Sequence, residues 1–228
     1  MGSATGLAAP EWDVFISHWD GTNWSEPTNL TGPNGKRDED PKFSPDGSTI
    51  IYKEDGTLAT VAISGGEKSY LTSGQPESSM PYYTTDGKSI LFERQGAIYW
   101  MNKGVARKMK APVGISSYYP IAVDGARFLF TRVQQSRHDG IYWGYYNNAK
   151  PTPLFFNNDK FDSSDPYPYR DGKKFIFLVS GDFSIIKGGY NLMVADLTTK
   201  KTWDIDRLYG NINSDQEELG PSWTAVRY

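Results

Sequence analysis

Polar and aromatic side chains lie just ahead of five prolines in this chain. They are Asp38-Glu39-Asp40 before Pro41, Ser78-Ser79-Met80 before Pro81, Ser117-Tyr118-Tyr119 before Pro120, Ser163-Ser164-Asp165 before Pro166, and Glu218-Leu219-Gly220 before Pro221. Carboxylates accept hydrogen bonds from hydroxyl or ammonium groups, and a tyrosine ring offers an apolar face. Together such residues suit a neutral or basic ligand such as a sugar. Taken singly, each residue has an alternative role, because Asp and Ser also bond local amides at strand ends and turns.

We predict that one face of the molecule gathers these side chains into a ligand site. The predicted ligand-binding residues are Asp38, Glu39, Asp40, Ser79, Tyr118, Tyr119, Ser164, Asp165, Glu218, Arg94 and Arg132. The two arginines come from segments that join a second strand to a third, and such segments are expected at the same face. No cofactor is expected.

A metal site is a weaker alternative for the same face. Asp38, Asp40 and Asp165 supply the oxygen ligands that hard cations prefer, but no Asp-x-Asp-x-Asp-Gly loop occurs. The chain has 2 His and 0 Cys, too few for a typical tetrahedral zinc set. We therefore favour a site without metal.

A repeat organises the elements that must position these residues. Segments 40–47, 80–87, 119–125 and 165–172 each run from a proline-containing stretch to Asp-Gly, and the third segment is one residue short. A short apolar run follows each Asp-Gly, which is the strongest short-range signal for a β-hairpin. Third runs (58–63, 97–101, 140–146 and 190–196) and more polar fourth runs (68–72, 105–110, 152–156 and 201–206) complete each unit.

Four short antiparallel strands in every repeat of about 40 to 55 residues predict β-propeller blades. Residues 12–19 and 27–31 fit the third and fourth strands of a further blade, and residues 221–228 fit its first strand. We therefore predict an all-β, five-bladed propeller of four-stranded antiparallel blades, closed where N- and C-terminal strands pair in one blade. Residues 11–228 form the single domain. Residues 1–10 are a tag or flexible N-terminus that either stays unpaired or adds a weak strand to the closing blade.

The repeat resembles that of the TolB-like propeller family, whose units are commonly written around S-P-D-G. Ser44-Pro45-Asp46-Gly47 keeps that core, whereas the other copies keep only Asp-Gly. The stretch from Asp20 to Leu30 is similar to the D-G-x-x-W-S-E-P-x-N-L edge of many bacterial envelope proteins of this group. The resemblance covers nearly the whole chain and implies fold more than function, because such propellers include docking modules, glycan-associated proteins and enzyme domains.

The resemblance also carries an enzymatic alternative. The family contains propellers in which Tyr, Arg and His abstract a proton from a sugar, and His138, Arg137 and Tyr119 would take those roles here. Paired carboxylates would instead suit glycoside hydrolysis. An exposed loop histidine is the opposing interpretation of His138. The chain has no Gly-x-Ser-x-Gly elbow and no phosphate-binding glycine loop.

The charge and the apolar content of the chain limit the kinds of partner that it can bind. With 24 Lys and Arg against 27 Asp and Glu, the net charge is −3, which disfavours a nucleic-acid partner. No apolar run approaches the roughly 20 residues of a membrane span. We therefore predict a monomeric, non-catalytic module that binds a carbohydrate or a protein surface. The predicted location is periplasmic or extracellular, with a signal peptide removed. A protein-interaction scaffold that uses the 180–189 loop is a further alternative.

Overall fold

The computed structural model describes residues 12–169, 174–181, 189–210 and 212–214, and this part of the chain is built of antiparallel β-sheets. The first sheet has two strands, β1 (Phe15–Ile16) and β2 (Thr28–Asn29). The second contains β3 (Asp38–Phe43), β4 (Thr49–Glu54), β5 (Thr57–Ala62) and β6 (Ser69–Tyr70). The third contains β7 (Ser79–Tyr83), β8 (Ser89–Arg94), β9 (Ala97–Asn102) and β10 (Val105–Lys108).

Two more sheets follow the same plan. One contains β11 (Ser116–Ala122), β12 (Arg127–Val133), β13 (Asp139–Tyr145) and β14 (Thr152–Pro153). The other contains β15 (Asp162–Tyr169), β16 (Phe175–Gly181), β17 (Tyr190–Asp196) and β18 (Lys201–Asp204), and a four-residue helix α1 (Asp206–Tyr209) comes after it. Each four-stranded sheet pairs its strands in chain order, as expected of a propeller blade. The number of sheets matches the five predicted blades.

The chain divides into two compact units, residues 1–81 and 82–228. In the first unit, Val14, Ile16 and Leu30 pack with Ile50, Tyr52, Ala59 and Val61, which joins the two-stranded sheet to the next one. In the second unit, one core joins the sheet of β8 to that of β12 and another joins the sheet of β12 to that of β16. Apolar burial of this kind is the main source of stability where sheets stack face to face.

The glycine of the Asp-Gly pair is left-handed in two of the predicted hairpin turns. Gly47 and Gly87 adopt φ of 72° and 69°, the left-handed conformation that glycine adopts without strain. The Asp46 carboxylate accepts hydrogen bonds from the Ser44 hydroxyl (2.6 Å) and the Ser48 amide (3.1 Å), which fixes the turn. Gly125, in the shorter third turn, is not left-handed.

The proline in each first strand follows a residue in an unusual conformation. Asp40, Met80, Tyr119 and Asp165 have φ of 55°, 50°, 47° and 48°. The pairing register shifts at this point in β3, β11 and β15, as in a β-bulge. The bulge turns the side chains ahead of each proline away from the regular alternation of the strand.

The first sheet is smaller than predicted. Within the residues described, this sheet has only the strands Phe15–Ile16 and Thr28–Asn29. Single bridges join Trp12 to Arg37 and Trp19 to Trp24. The predicted contributions of residues 1–10 and 221–228 to this blade lie outside the described residues. Closure of the ring therefore stays a prediction. Among the residues that the structure describes, none belongs to a helix long and apolar enough to span a membrane.

Candidate functional site

An aromatic pair and a buried carboxylate meet at one end of the β11–β14 sheet. The hydroxyl of Tyr118, in β11, donates a hydrogen bond to Oδ2 of Asp139, the first residue of β13. The rings of Tyr118 and Tyr119 lie edge to face with their centroids 5.1 Å apart. Asp139 is only 5% exposed. The start of β11 and the start of β13 meet because the end of β12 pairs with both.

Asp162 connects this sheet to the following one. Its Oδ1 accepts a hydrogen bond from the amide of Asp139 (2.7 Å), and its Oδ2 accepts one from the hydroxyl of Tyr190 (2.8 Å). Asp162 opens β15, whereas Tyr190 opens β17. Because both carboxylate oxygens are bonded, Asp162 holds Asp139 in place beside it.

Asp165 completes what we call the carboxylate cluster: Asp139, Asp162 and Asp165. Asp165 is buried and accepts a hydrogen bond from the Ser164 hydroxyl (2.8 Å). Burial, reinforced by the negative charges of Asp162 and Asp165, raises the pKa of Asp139 to about 7. Asp139 therefore changes its charge near neutral pH, and a positive or hydrogen-donating group at the cluster would favour its ionised form.

Arg132, which the sequence placed with these residues, lies on the other face of the sheet. Arg132 pairs with Gly140 and the neighbouring Val133 pairs with Asp139, so the two side chains leave opposite faces. Arg132 is buried and donates to the Ser117 hydroxyl (3.0 Å). Burial lowers the pKa of its guanidinium. The Arg132 side chain therefore points away from the carboxylate cluster.

The proposed catalytic residues are distributed around the cluster. Nδ1 of His138 lies 3.5 Å from Oδ1 of Asp162, so the structure brings this histidine to the cluster. Tyr119 joins through its ring contact with Tyr118. Arg137 is exposed in the turn between β12 and β13, where its amide donates to the Gln134 carbonyl (3.0 Å).

In the first unit, each of the three predicted acidic residues bonds to a partner within the protein. Glu39 forms ion pairs with Arg37 (2.7 Å) and Lys53 (3.1 Å). Asp38 is buried and accepts a hydrogen bond from the Asn34 amide group (3.1 Å), and burial raises its pKa. Oδ2 of Asp40 accepts a hydrogen bond from the backbone amide of Met80 (3.1 Å). These contacts are the structural roles that the sequence offered as the alternative to ligand binding.

Glu54 is a second buried acid of this unit, and sequence reasoning did not select it. Its carboxylate accepts hydrogen bonds from Lys36 (2.6 Å), Lys68 (2.6 Å) and Tyr70 (2.7 Å). Burial alone would raise its pKa, but these three donors outweigh burial and lower the pKa to about 2. Glu54 therefore stays ionised and is stabilised by residues of its own unit.

The remaining predicted residues have separate locations. The Arg94 guanidinium lies over the rings of Phe92 (5.0 Å) and Tyr99 (5.4 Å), and Ser79 is half-buried at the start of β7. Glu218 lies outside the described residues. Within the described ranges, no three His, Asp or Glu side chains are grouped so as to hold a metal ion, and the metal alternative gains no support there.

Asp139, Asp162 and Tyr190 are not among the predicted ligand-binding residues. Asp162 directly precedes the selected Ser163-Ser164-Asp165 stretch, and Asp139 directly follows the selected His138. In both places the polar residues continue one position beyond the predicted site residues, and this continuity was the signal that could have found Asp139 and Asp162. Tyr190 gave no such signal, because it lies in the apolar run of a strand.

Comparison with known proteins identifies solved structures with a similar fold. No protein-family model matches the sequence, and no curated protein matches it significantly. The structure is similar to TolB from Acinetobacter baumannii (TM-score 0.65, 22% identity), with 79% of this chain and 46% of that chain covered. It is similar to a nidogen/laminin complex structure (TM-score 0.60, 9% identity, covering 84% and 89%). It is also similar to an oligogalacturonate lyase from Vibrio parahaemolyticus (TM-score 0.56, 10% identity, covering 78% and 55%).

These likenesses define the class of protein as a β-propeller, related in fold to TolB-like and other propellers. At such low identity they describe the fold alone. The chain spans about half the length of the Acinetobacter TolB structure. What it binds must therefore be argued from its own residues.

Proposed function

We propose that this chain is a non-catalytic, ligand-binding propeller domain whose site is the carboxylate cluster with Tyr118 and Tyr119. The observation that supports it is the meeting of three buried carboxylates and an aromatic pair at one end of the second unit. Burial and the negative charges of Asp162 and Asp165 raise the pKa of Asp139 to about 7, which disfavours its ionised form. The cluster is therefore suited to a ligand that supplies positive charge or hydrogen-bond donors.

Two ligand classes fit this description, a carbohydrate and a protein surface. A sugar would donate hydroxyl hydrogens to the carboxylates and lie against a tyrosine ring. A protein surface would present Lys or Arg, which also relieves the repulsion that raises the pKa of Asp139. The charge of the cluster favours the basic protein surface. The periplasmic or extracellular location and the monomeric state remain part of the proposal.

A carbohydrate-active enzyme is the second candidate. The likeness to an oligogalacturonate lyase and the 3.5 Å separation of His138 from Asp162 favour keeping it. In that role His138 would act as the general base, with Asp162 orienting its ring. The interaction scaffold that uses the 180–189 loop stays a further proposal, because residues 182–188 lie outside the described part of the chain.

The test is a parallel screen of the protein on a glycan array and on a peptide array with basic and acidic members of equal length. Three proteins are compared: the unaltered chain, an Asp139→Asn, Asp165→Asn double variant, and an Asp159→Asn control. Asp159 is exposed and lies in the same unit outside the cluster. Circular dichroism and thermal unfolding check that all three fold.

We expect basic peptides to bind the unaltered and control proteins, with affinity at least about tenfold lower in the double variant. A glycan that binds with the same pattern would identify the ligand as a carbohydrate. If the unaltered protein also converts that glycan to product and His138→Ala does not, the protein is an enzyme. If no ligand depends on Asp139 and Asp165, the cluster is not a binding site.

A further inference from the structure

A buried arginine without a negatively charged neighbour lies where the sheet of β12 packs on the sheet of β8. Arg132 is 8% exposed and shares a face of β12 with Phe128 and Phe130, which belong to the core between the two sheets. Burial lowers the pKa of its guanidinium, but an arginine keeps its charge even so. Among the described residues, Tyr142 is the one acidic group that opposes this effect. The pKa of Tyr142 is itself raised, so Tyr142 is uncharged at neutral pH.

The three nitrogens of this guanidinium have different surroundings. Nη1 donates a hydrogen bond to the Ser117 hydroxyl (3.0 Å). Nε is enclosed and has no hydrogen-bond partner among the described residues. Nη2 has no partner in this part of the chain either, but unlike Nε it is not enclosed. Nη2 is therefore the nitrogen that a ligand can reach.

The unbalanced charge favours an anionic ligand. Burial removes water from the guanidinium, and the Ser117 hydroxyl, which is uncharged, does not replace the lost solvation of a full positive charge. Arginines inside proteins are rarely found without a paired acid. An anion that accepts a hydrogen bond from Nη2 would supply the missing charge. A phosphate carries nearly two negative charges at neutral pH, whereas a carboxylate carries one and so balances a single guanidinium.

The connection from β10 to β11 adds apolar surface next to this arginine. Gly114 lies against the guanidinium, since a Cβ atom on it would come 2.7 Å from Nε. Its neighbours in the chain, Val113 and Ile115, are 76% and 56% exposed. The Ile115 amide donates a hydrogen bond to the carbonyl of Val133, the residue after Arg132 (2.8 Å). Exposed aliphatic side chains beside a cation suit an acid that has an apolar body.

We propose that Arg132 binds the carboxylate of an apolar organic acid, with Nη2 as the donor and Ile115 against the apolar part of the acid. A free acid with a short alkyl chain and the C-terminus of a peptide with an apolar last residue share this chemistry. The site goes beyond the proposed function. Arg132 and Asp139 leave opposite faces of the sheet, and the carboxylate cluster repels an anion.

The first test uses the Nε–H group of Arg132 in the unaltered protein as an NMR reporter. Because Nε is enclosed, its hydrogen exchanges slowly with water and gives a resolved signal. The probes are hexanoate for the free acid, N-acetyl-leucine for the peptide C-terminus, N-acetyl-leucinamide and inorganic phosphate. We expect the two carboxylates to shift the signal at millimolar concentration. The uncharged amide and phosphate should bind at least about tenfold more weakly.

Two charge variants test the role of Arg132. Arg132→Met and Lys103→Met each remove one positive charge from the second unit, but Lys103 is exposed in the turn between β9 and β10. We expect Arg132→Met to lose the Nε signal and to bind N-acetyl-leucine at least about tenfold more weakly. Its Tm should stay equal or rise, because a buried unpaired charge is removed. Lys103→Met should keep the affinity of the unaltered protein.

A matched pair of apolar variants tests the second part of the site. Ile115→Ser and Val105→Ser each remove an exposed aliphatic side chain, and Val105 lies in β10, away from Gly114 in the chain. We expect Ile115→Ser to weaken binding of N-acetyl-leucine about threefold and Val105→Ser to leave it unchanged. If only one of the two carboxylates binds, it identifies the source of the acid.

Three results would overturn this inference. They are no shift of the Nε signal with either carboxylate, the same affinity in Arg132→Met as in Lys103→Met, and a clearly lower Tm in Arg132→Met, which would mean that the guanidinium is already paired. The first result needs no variant, so it decides the matter even where Arg132→Met does not fold. Asp139 and Asp165 are unaltered throughout, so failure of this site and failure of the proposed function are distinguishable.

Discussion

At the scale of single residues, Asp139 shows how burial and neighbouring charge act together. The residue is almost fully enclosed, its amide is anchored by Asp162, and its carboxyl meets the hydroxyl of Tyr118. The ionised form therefore loses hydration and faces the repulsion of two other acids, which raises its pKa to about 7. A carboxyl in this state makes the stability of the folded protein depend on pH.

The linkage has a definite sign for Asp139. In the unfolded chain this carboxyl would ionise near pH 4, whereas in the folded chain it holds its proton to about pH 7. Its stabilising contribution is complete below about pH 4 and is lost as the pH rises through 7. We expect the unaltered protein to lose about 1 kcal/mol per pH unit between pH 5 and 6 relative to Asp139→Asn.

Urea unfolding of both proteins at several pH values measures this difference. The Asp159→Asn variant serves as the control, since Asp159 is exposed and its loss should leave the pH profile parallel to that of the unaltered protein. A pH profile of Asp139→Asn that also runs parallel would show that Asp139 ionises normally in the folded protein.

At the scale of elements, the bulge in each first strand is the repeated device that presents side chains at one end of the sheets. The residue before proline is left-handed in four repeats, although the residue types are Asp, Met, Tyr and Asp. Left-handed backbone is unfavourable for side chains other than glycine, and Asp and Asn tolerate it best. The strain recurs at Asp40, Tyr119 and Asp165, three residues that the sequence predicts to bind ligand.

Asp40 allows the cost of this conformation to be measured. The residue has φ of 55° and its carboxylate accepts the Met80 amide. We expect Asp40→Val to lower the free energy of unfolding by about 2 kcal/mol or more, since a β-branched side chain disfavours this conformation and the hydrogen bond is lost.

Asp40→Asn is the matched control, because asparagine keeps an acceptor oxygen and tolerates left-handed backbone. It should change the free energy of unfolding by less than about 0.5 kcal/mol. Equal losses in the two variants, measured by urea unfolding, would mean that the negative charge matters at this position and that the backbone conformation does not.

At the scale of the whole molecule, the first sheet differs from the other four in its number of strands. Four sheets have four strands each, but the first has two among the described residues. Propellers gain stability when their first and last strands pair, because closure removes exposed sheet edges. The sequence predicts that residues 221–228 supply the missing inner strand.

Truncation tests this closure. A chain ending at Gly220 should melt about 10 °C or more below the full chain, since loss of an inner strand removes several kcal/mol of burial. Removal of residues 1–10 should lower the Tm much less. Calorimetry and light scattering of the three proteins would measure stability and the monomeric state. An unchanged Tm in the chain ending at Gly220 would exclude closure by the C-terminal strand.

The sequence by itself determined the hairpins and most of the strands of this protein, because these elements depend on residues that are close together in the chain. Asp-Gly pairs between short apolar runs predicted the hairpins, and the repeat predicted four-stranded sheets, because turn conformation and side-chain alternation depend on neighbours in the chain. The same rules placed most strands correctly, although the sixth and fourteenth strands are shorter than expected, at Ser69–Tyr70 and Thr152–Pro153.

The tertiary structure decided which polar residues meet. Strand register sends Arg132 away from the carboxylate cluster and brings Asp139 to Asp162, 23 positions later in the chain. It also sets Tyr146 beside the turns of Asp86 and Asp124. The alternation of a strand fixes which of its residues share a face, but only packing between sheets decides what that face contacts. The candidate site of this protein therefore depends on long-range contacts that no local pattern in the chain encodes.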